Sequence, residues 1–337
     1  MSLPAQMSAI IVPQPGGPEV MRLAQVPMPE TKPGEVLIKV AAAGVNAPDL
    51  AQRAGHYPPP PDASPLLGLE VSGEIALAAG DWKVGDQVVA LCNGGGYAEY
   101  VAVPAGQVLP ALANWALVDA AALPETWFTI TQTLVMRAGL KPGMTVLITG
   151  AAGGIGGAAI QISRILGADP IALVSSAEKA AYALGLGASV AIRHDTEDVA
   201  ARVCELTGDK GVDRIVDMVG GDATTRNVEL LAVGGHLVQV STLSNRGANI
   251  PLARLVRDDL TISGSRLRPQ SSQTKAAIAQ HIREHLWPAI IAPGFPQPKI
   301  RRFPLAQAGD AHLAAAQRGH YGKIVLVTDF GADTGFR

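Results

Sequence analysis

The segment richest in chemical possibilities reads Thr149-Gly-Ala-Ala-Gly-Gly-Ile-Gly-Gly157, directly behind the apolar run Val146–Ile148. Residues without side chains let a backbone approach a pyrophosphate closely, and a helix starting behind them offers N–H donors with no acceptor of their own. The spacing departs from G-x-G-x-x-G, because Ala152 stands at the first glycine position if Gly154 and Gly157 are the other two. It fits G-x-x-G-x-x-G from Gly150 to Gly156. No Lys-Ser or Lys-Thr follows, which excludes a Walker-type phosphate loop. A tight strand-to-helix turn would use the same glycines. Placement after an apolar strand and before further strand–helix units favours a dinucleotide site, with Ala152, Gly153, Gly154 and Ile155 against the phosphates.

The end of the second strand should decide which dinucleotide binds, because an acid there holds an unphosphorylated ribose. The chain has Val174-Ser-Ser-Ala177 at that place, followed by Glu178 and Lys179. No carboxylate stands where it would repel a 2′-phosphate. Ser175, Ser176, Lys179, Arg193 and His194 could gather round one, cations and hydroxyls together suiting a dianion. Lys179 and Arg193 taken singly read as solvated surface charges; with the acid missing, the set favours NADPH. Thr149–Gly156 also matches the T-G-x-x-x-G-x-G of short-chain dehydrogenases. That pattern opens its own family near the N-terminus and needs a Tyr-x-x-x-Lys pair. Here Tyr182 meets Leu186 and Tyr321 meets Val325, so the reading fails.

These groups need a scaffold. From Thr145 onward, strand candidates (Thr145–Thr149, Pro170–Val174, Val190–Ile192, Arg214–Val219, His236–Val240, Leu260–Gly264) alternate with helical stretches at Ala177–Leu186, Asp198–Thr207 and Thr224–Leu231. Alternation of this kind implies a doubly wound parallel sheet. The first third reads as short strands (Ala9–Val12, Glu35–Ala42, Val71–Leu77, Gln87–Leu91, Tyr97–Val103) between Pro/Gly clusters, which predicts a rolled antiparallel domain. Helices Ser272–His285 and Ala306–Gln317 and a final strand Lys323–Thr328 do not continue the βα rhythm and read as a return to the first domain. The fold class expected is α/β, a Rossmann sheet plus a β-rich domain.

Bulk properties agree. A chain of 337 residues suits two domains, and 37 Gly with only 17% charged residues suits many tight turns. A net charge of −2 gives no electrostatic case for nucleic acid or an acidic membrane surface. Cys92 and Cys204 are too few for a disulfide framework or a four-thiolate zinc site. Neither a signal peptide nor a membrane span is expected, so the cytoplasm is the default setting.

Several segments together resemble the zinc-free quinone oxidoreductases of the medium-chain dehydrogenase/reductase superfamily, most of all their tumour-suppressor-inducible branch. They are Pro15–Glu19, Val45-Asn46-Ala-Pro-Asp49, Asp49–Tyr57 with its Pro run, Leu67-Gly-Leu-Glu70-Val-Ser-Gly73, Gly94-Gly-Gly-Tyr97, Pro124–Thr129, Ala151–Gly156 and Gly322–Leu326. The resemblance implies a discontinuous GroES-like catalytic domain at 1–124 and 268–337, a Rossmann NADPH-binding domain at 125–267, and a homodimer. His194 stands where many relatives carry Tyr. Zinc-dependent members bring a Cys and a Gly-His-Glu segment to the metal; here Asn46 and Gly68-Leu69-Glu70 stand in those places, so no metal is expected. Without a Lewis acid, the acceptor should be a quinone or enone, which delocalises the incoming charge.

Asn46 and Tyr57 are then the expected donors to the acceptor, with Thr129 close to the nicotinamide, and Val240, Ser241 and Lys323 completing the cofactor contacts. Plainer roles stand beside these: a loop side-chain-to-backbone bond for Asn46, a surface brace for Tyr57, a helix cap for Thr129, a solvated strand start for Lys323. Two other functions fit the same scaffold, an enoyl or alkenal double-bond reductase and a catalytically idle NADPH-binding sensor.

Overall fold

The structure, a computed structural model, describes residues 3–243 and 247–335. The chain divides into two units. One takes the chain up to Phe128, Arg268–Phe295 and the chain from Lys299 on; the other takes Thr129–Leu267 and Pro296–Pro298. In chain order the first strands are β1 (Gln6–Ile11), β2 (Arg22–Pro27), β3 (Glu35–Val45), β4 (Glu70–Leu77), β5 (Gln87–Leu91), β6 (Tyr100–Pro104) and β7 (Val108–Pro110). Then come β8 (Thr145–Ile148), β9 (Asp169–Val174), β10 (Val190–Arg193), β11 (Val212–Asp217), β12 (Leu231–Gln239) and β13 (Thr261–Gly264). The chain ends with β14 (Ile300–Pro304), β15 (Lys323–Val327) and the helix Asp329–Gly335.

In the first unit a seven-stranded sheet runs β14-β15-β3-β4-β5-β7, with β6 also paired to β3, and β1 and β2 form a separate hairpin. All its pairs are antiparallel except β14 with β15. Alternate residues of these strands, among them Val36, Ile38, Val40, Val71, Val88 and Ala90, close one apolar core with Ile324 and Leu326. The elements that escape the sequence patterns include β2, β7, helices Ala47–Arg53 and Leu252–Arg257, β14 inside a proline-rich stretch, and the C-terminal helix. That helix lies on β3 through Gly331, where a Cβ would sit 1.9 Å from the Ala41 carbonyl oxygen. Helix Ser272–His281 continues through wider turns to Ile291 rather than ending at His285.

In the second unit six parallel strands run in the order β10-β9-β8-β11-β12-β13. This order reverses direction between β8 and β11, the switch point at which doubly wound sheets bind dinucleotides. Leu147, Ile171, Leu173, Ile192, Val212, Ile215 and Leu237 form its core. The α/β architecture read from the sequence is the one observed.

Candidate functional site

The glycine-rich turn stands at that switch point. β8 ends at Ile148, Gly150 turns with φ +59°, and Gly153 caps the twelve-residue helix Gly154–Ile165. At Gly156 a Cβ would lie 2.4 Å from the Ala151 Cα and 2.6 Å from the Gly150 oxygen, so only glycine leaves the turn its shape. The opening N–H groups of this helix, from Gly154 to Gly156, have no carbonyl a turn earlier to bond. Together with the helix dipole, they fit a pyrophosphate.

The facing strand end is pinned by Asp217, which in the sequence is simply part of a strand. It is fully buried and accepts from the Val219 N–H at 2.7 Å, Thr224 Oγ1 at 2.7 Å and Asn227 Nδ2 at 3.2 Å. Thr149 Oγ1 reaches Asp217 at 3.4 Å and accepts from the Met218 N–H at 2.9 Å. Val240 donates its N–H to the Asp217 carbonyl at 2.8 Å, and the Ser241 carbonyl accepts from Gln239 Nε2 at 2.6 Å. Val240 and Ser241 thus follow β12 at the same rim as the turn.

Ser175, Ser176 and Lys179 come together at the end of β9. Ser176 caps the helix Ala177–Gly185 by accepting the Lys179 N–H at 3.2 Å, and Lys179 Nζ meets Ser175 Oγ at 3.1 Å. The His194 N–H donates to the Val174 carbonyl at 3.1 Å, so His194 is their neighbour, and it is exposed. Arg193 departs from the expectation. Its guanidinium is held at 2.8 Å by Asp195, two residues on, an exposed pair that a bound phosphate would have to compete with.

In the first unit, two strand residues (Glu70 and Lys323), the helix cap Asn46 and two helical residues (Asp49 and Glu125) build a polar cluster. β15 runs antiparallel to β3 with Ile324 opposite Val45, which sets Lys323 beside Asn46. β4 runs on the other edge of β3, and Glu70 reaches across at Gly44, where a Cβ would fall 1.9 Å from its Oε1. Lys323 Nζ therefore meets Glu70 Oε1 at 2.5 Å and Asn46 Oδ1 at 2.7 Å. Asn46 Nδ2 donates to Glu70 Oε1 at 2.8 Å, and Glu70 Oε2 accepts the Glu125 N–H at 2.8 Å. Lys323 is buried, not solvated, and the Asn46 side chain bonds the side chains of Glu70 and Lys323. Its amide keeps a second N–H beyond these bonds.

Asp49, on the first turn of helix Ala47–Arg53, accepts the N–H groups of Asn46 at 2.9 Å and Gly68 at 3.0 Å. Burial pushes its carboxyl up to about 6, against the lowering effect of those backbone bonds. Burial, with the charges of Glu70 and Asp49 added, pushes Glu125 up to about 8. The Tyr97 hydroxyl meets His312 Nε2 at 3.1 Å, and Arg53 Nη1 meets His312 Nδ1 at 3.2 Å. Burial and Arg53 hold His312 neutral, down at about 3.

Tyr57 is half-buried, with the Arg268 guanidinium 5.6 Å from its ring centre. Arg268 carried no motif that could have singled it out. Thr129 belongs to the other unit. Its helix starts at Pro124, so Thr129 is not a cap, and its carbonyl accepts Thr133 Oγ1 at 2.7 Å. Trp127 is core, edge-on to Trp287. Leu69 is buried and has no ligand atom, and among the described residues no group of three His, Cys, Asp or Glu side chains could hold a metal ion.

A GroES-like unit joined to a Rossmann sheet with a glycine turn at its switch point defines the medium-chain dehydrogenase/reductases. The family described as "Alcohol dehydrogenase GroES-like domain" matches residues 32–113, and "Zinc-binding dehydrogenase" matches 154–282. The chain is 32% identical over 337 residues to the quinone oxidoreductase of Sus scrofa, covering 95% of this chain and 98% of that one. A Pseudomonas syringae quinone oxidoreductase superposes with a TM-score of 0.81 at 30% identity, covering 95% and 99%. The Escherichia coli quinone oxidoreductase complexed with NADPH gives 0.80 at 27%, covering 96% and 99%. The chain belongs to the quinone oxidoreductase family of that superfamily.

Proposed function

We propose that the protein reduces quinones or related conjugated carbonyl compounds with NADPH and without a metal ion. The observation that carries this reading is the Ser175–Ser176–Lys179 group at the end of β9, where an NAD site has a carboxylate. Its hydroxyls and ammonium would hold a 2′-phosphate, with His194 beside them. The turn Ala152–Ile155 would hold the pyrophosphate, and Thr129, Val240, Ser241 and Lys323 the nicotinamide end.

Bound NADPH would supply the hydride. The residues of the chain bind and orient. Asn46, fixed by Glu70 and Lys323, and Tyr57, braced by Arg268, would donate hydrogen bonds to the acceptor oxygen. A conjugated acceptor spreads its new charge, so a few such donors suffice, and Leu69 offers a metal nothing.

The same reading takes the protein as a homodimer of the cytoplasm. Strand β13 is an edge of its sheet, and Leu252 and Val256 on the preceding helix are 68% and 79% exposed. Sedimentation equilibrium checks the dimer; a monomer at micromolar concentration removes it.

The test of function is a substrate panel following NADPH and NADH oxidation with naphthoquinones, 2-alkenals and saturated ketones, with a chelator in parallel. NADPH and the quinones should give the highest kcat/KM, unaffected by the chelator. Activity that needs a divalent ion or shows no preference for the phosphorylated coenzyme sinks the reading.

A further inference from the structure

The first unit has a partly open cavity of about 450 Å³ whose wall includes Arg268 and Lys275. They are 5% and 3% exposed. Arg268 Nη1 donates to Gln52 Oε1 at 2.7 Å and Nη2 to the Asn93 carbonyl at 3.2 Å, while its Nε has no hydrogen-bond partner. Lys275 Nζ donates to the Arg268 carbonyl at 2.9 Å and lies 3.5 Å from Asn93 Oδ1. Every one of these acceptors is neutral. Neither cation forms an ion pair with a described carboxylate.

Two adjacent buried cations without a contacting anion are unfavourable. Glu125 and Asp49 act on Arg268, and Glu125 and Asp62 on Lys275, without ion-pair contact, and Glu125 holds its proton up to about 8. The carboxylates of the lining itself, Glu30, Glu35 and Asp62, are exposed or half-buried, so water screens them. A third positive feature stands at the same wall. Ser271 and Ser272, the cap and first residue of the ten-residue helix Ser272–His281, line the cavity, and a helix start favours negative charge.

We propose that this cavity binds a small organic anion, gripped through its carboxylate or phosphate by Lys275, Arg268 and the first turn of that helix. Its volume lies within the roughly 300–1,000 Å³ of small-molecule sites. It shares no residue with the glycine turn or the Ser175–Lys179 group, and Lys275 has no part in the function proposed above; Arg268 alone is common to both, as the brace of Tyr57.

The test is thermal unfolding and calorimetric titration of the whole protein with inorganic phosphate and with succinate, against chloride at matched ionic strength. At about ten times Kd, phosphate, succinate or both should raise Tm by a few degrees beyond the chloride control. Which one acts tells a phosphate-bearing ligand from a carboxylate-bearing one. Lys275→Gln should weaken that anion at least about tenfold. Asn93→Asp supplies a carboxylate of the protein's own beside Lys275, so it should raise Tm without any ligand and abolish the anion effect. Lys179→Ala should leave the effect intact. The proposal falls if neither anion exceeds chloride, if the effect survives Lys275→Gln and Asn93→Asp, or if it disappears with Lys179→Ala.

Discussion

Lys323 and Glu70 meet at 2.5 Å across strand β3, with side chains 5% and 0% exposed. The two strands that carry them are not neighbours. β3 lies between, and the pair forms because Gly44 has no side chain in the way. Asn46 joins the same pair, which makes its amide orientation a consequence of the ion pair.

Lys323→Met should therefore destabilise strongly, by about 3–5 kcal/mol, because it leaves a buried carboxylate uncompensated. Adding Glu70→Leu should recover a large part of the loss. Urea unfolding of the single and double variants measures this. A double variant no more stable than the single would show that the cost lies in packing, not charge.

Gly156→Ala should weaken NADPH and NADH alike, by at least about tenfold, since the new Cβ pushes apart the turn that faces either pyrophosphate. Fluorescence titration with both coenzymes checks it. Unchanged affinity for both would take the turn out of the coenzyme site.

Lys179→Ala should behave differently. Losing one charge-assisted contact, worth about 1.5–3 kcal/mol, should cost NADPH roughly ten- to hundredfold in kcat/KM and leave NADH nearly unchanged. Equal losses for the two coenzymes would refute a 2′-phosphate role.

The parts legible in the sequence are those whose cause is local. Strand–helix alternation from Thr145 onward reveals the parallel sheet, and Gly150–Gly157 its turn, because each unit carries its own periodicity. Ser175, Ser176 and Lys179 are adjacent in the chain and so adjacent in space. Where partners are distant the reading weakens. Strand β14 lies in a proline-rich stretch and exists because β15 pairs with it. Lys323 looks like a solvated strand start until Glu70, 253 residues away, is seen beneath it. Arg193 is the opposite case: its partner Asp195 is so near in sequence that the two pair at the surface, and a bound phosphate would have to compete with that pair. Asp217, Arg268 and His312 belong to no motif, and only tertiary contacts reveal them.

The last prediction concerns pH. Glu125 titrates at about 8 in the folded protein against an ordinary 4.5, so between those values the native state holds a proton that the unfolded chain has lost. Stability must then fall as pH rises through that window. Asp49 adds the same sign between 3.8 and about 6. His312 works oppositely. Held neutral down to about 3 against 6.5, it makes the unfolded chain bind more protons, so stability rises with pH over that range. The opposing slopes overlap below 6.5, and above it the decline due to Glu125 stands alone among these three. Glu125→Gln keeps a neutral side chain of the same shape, so it should flatten the stability profile between about pH 6.5 and pH 8.5 and leave the acid limb in place. Denaturant midpoints at the two pH values measure it; a variant that still loses stability as steeply as the parent would place the titrating group elsewhere.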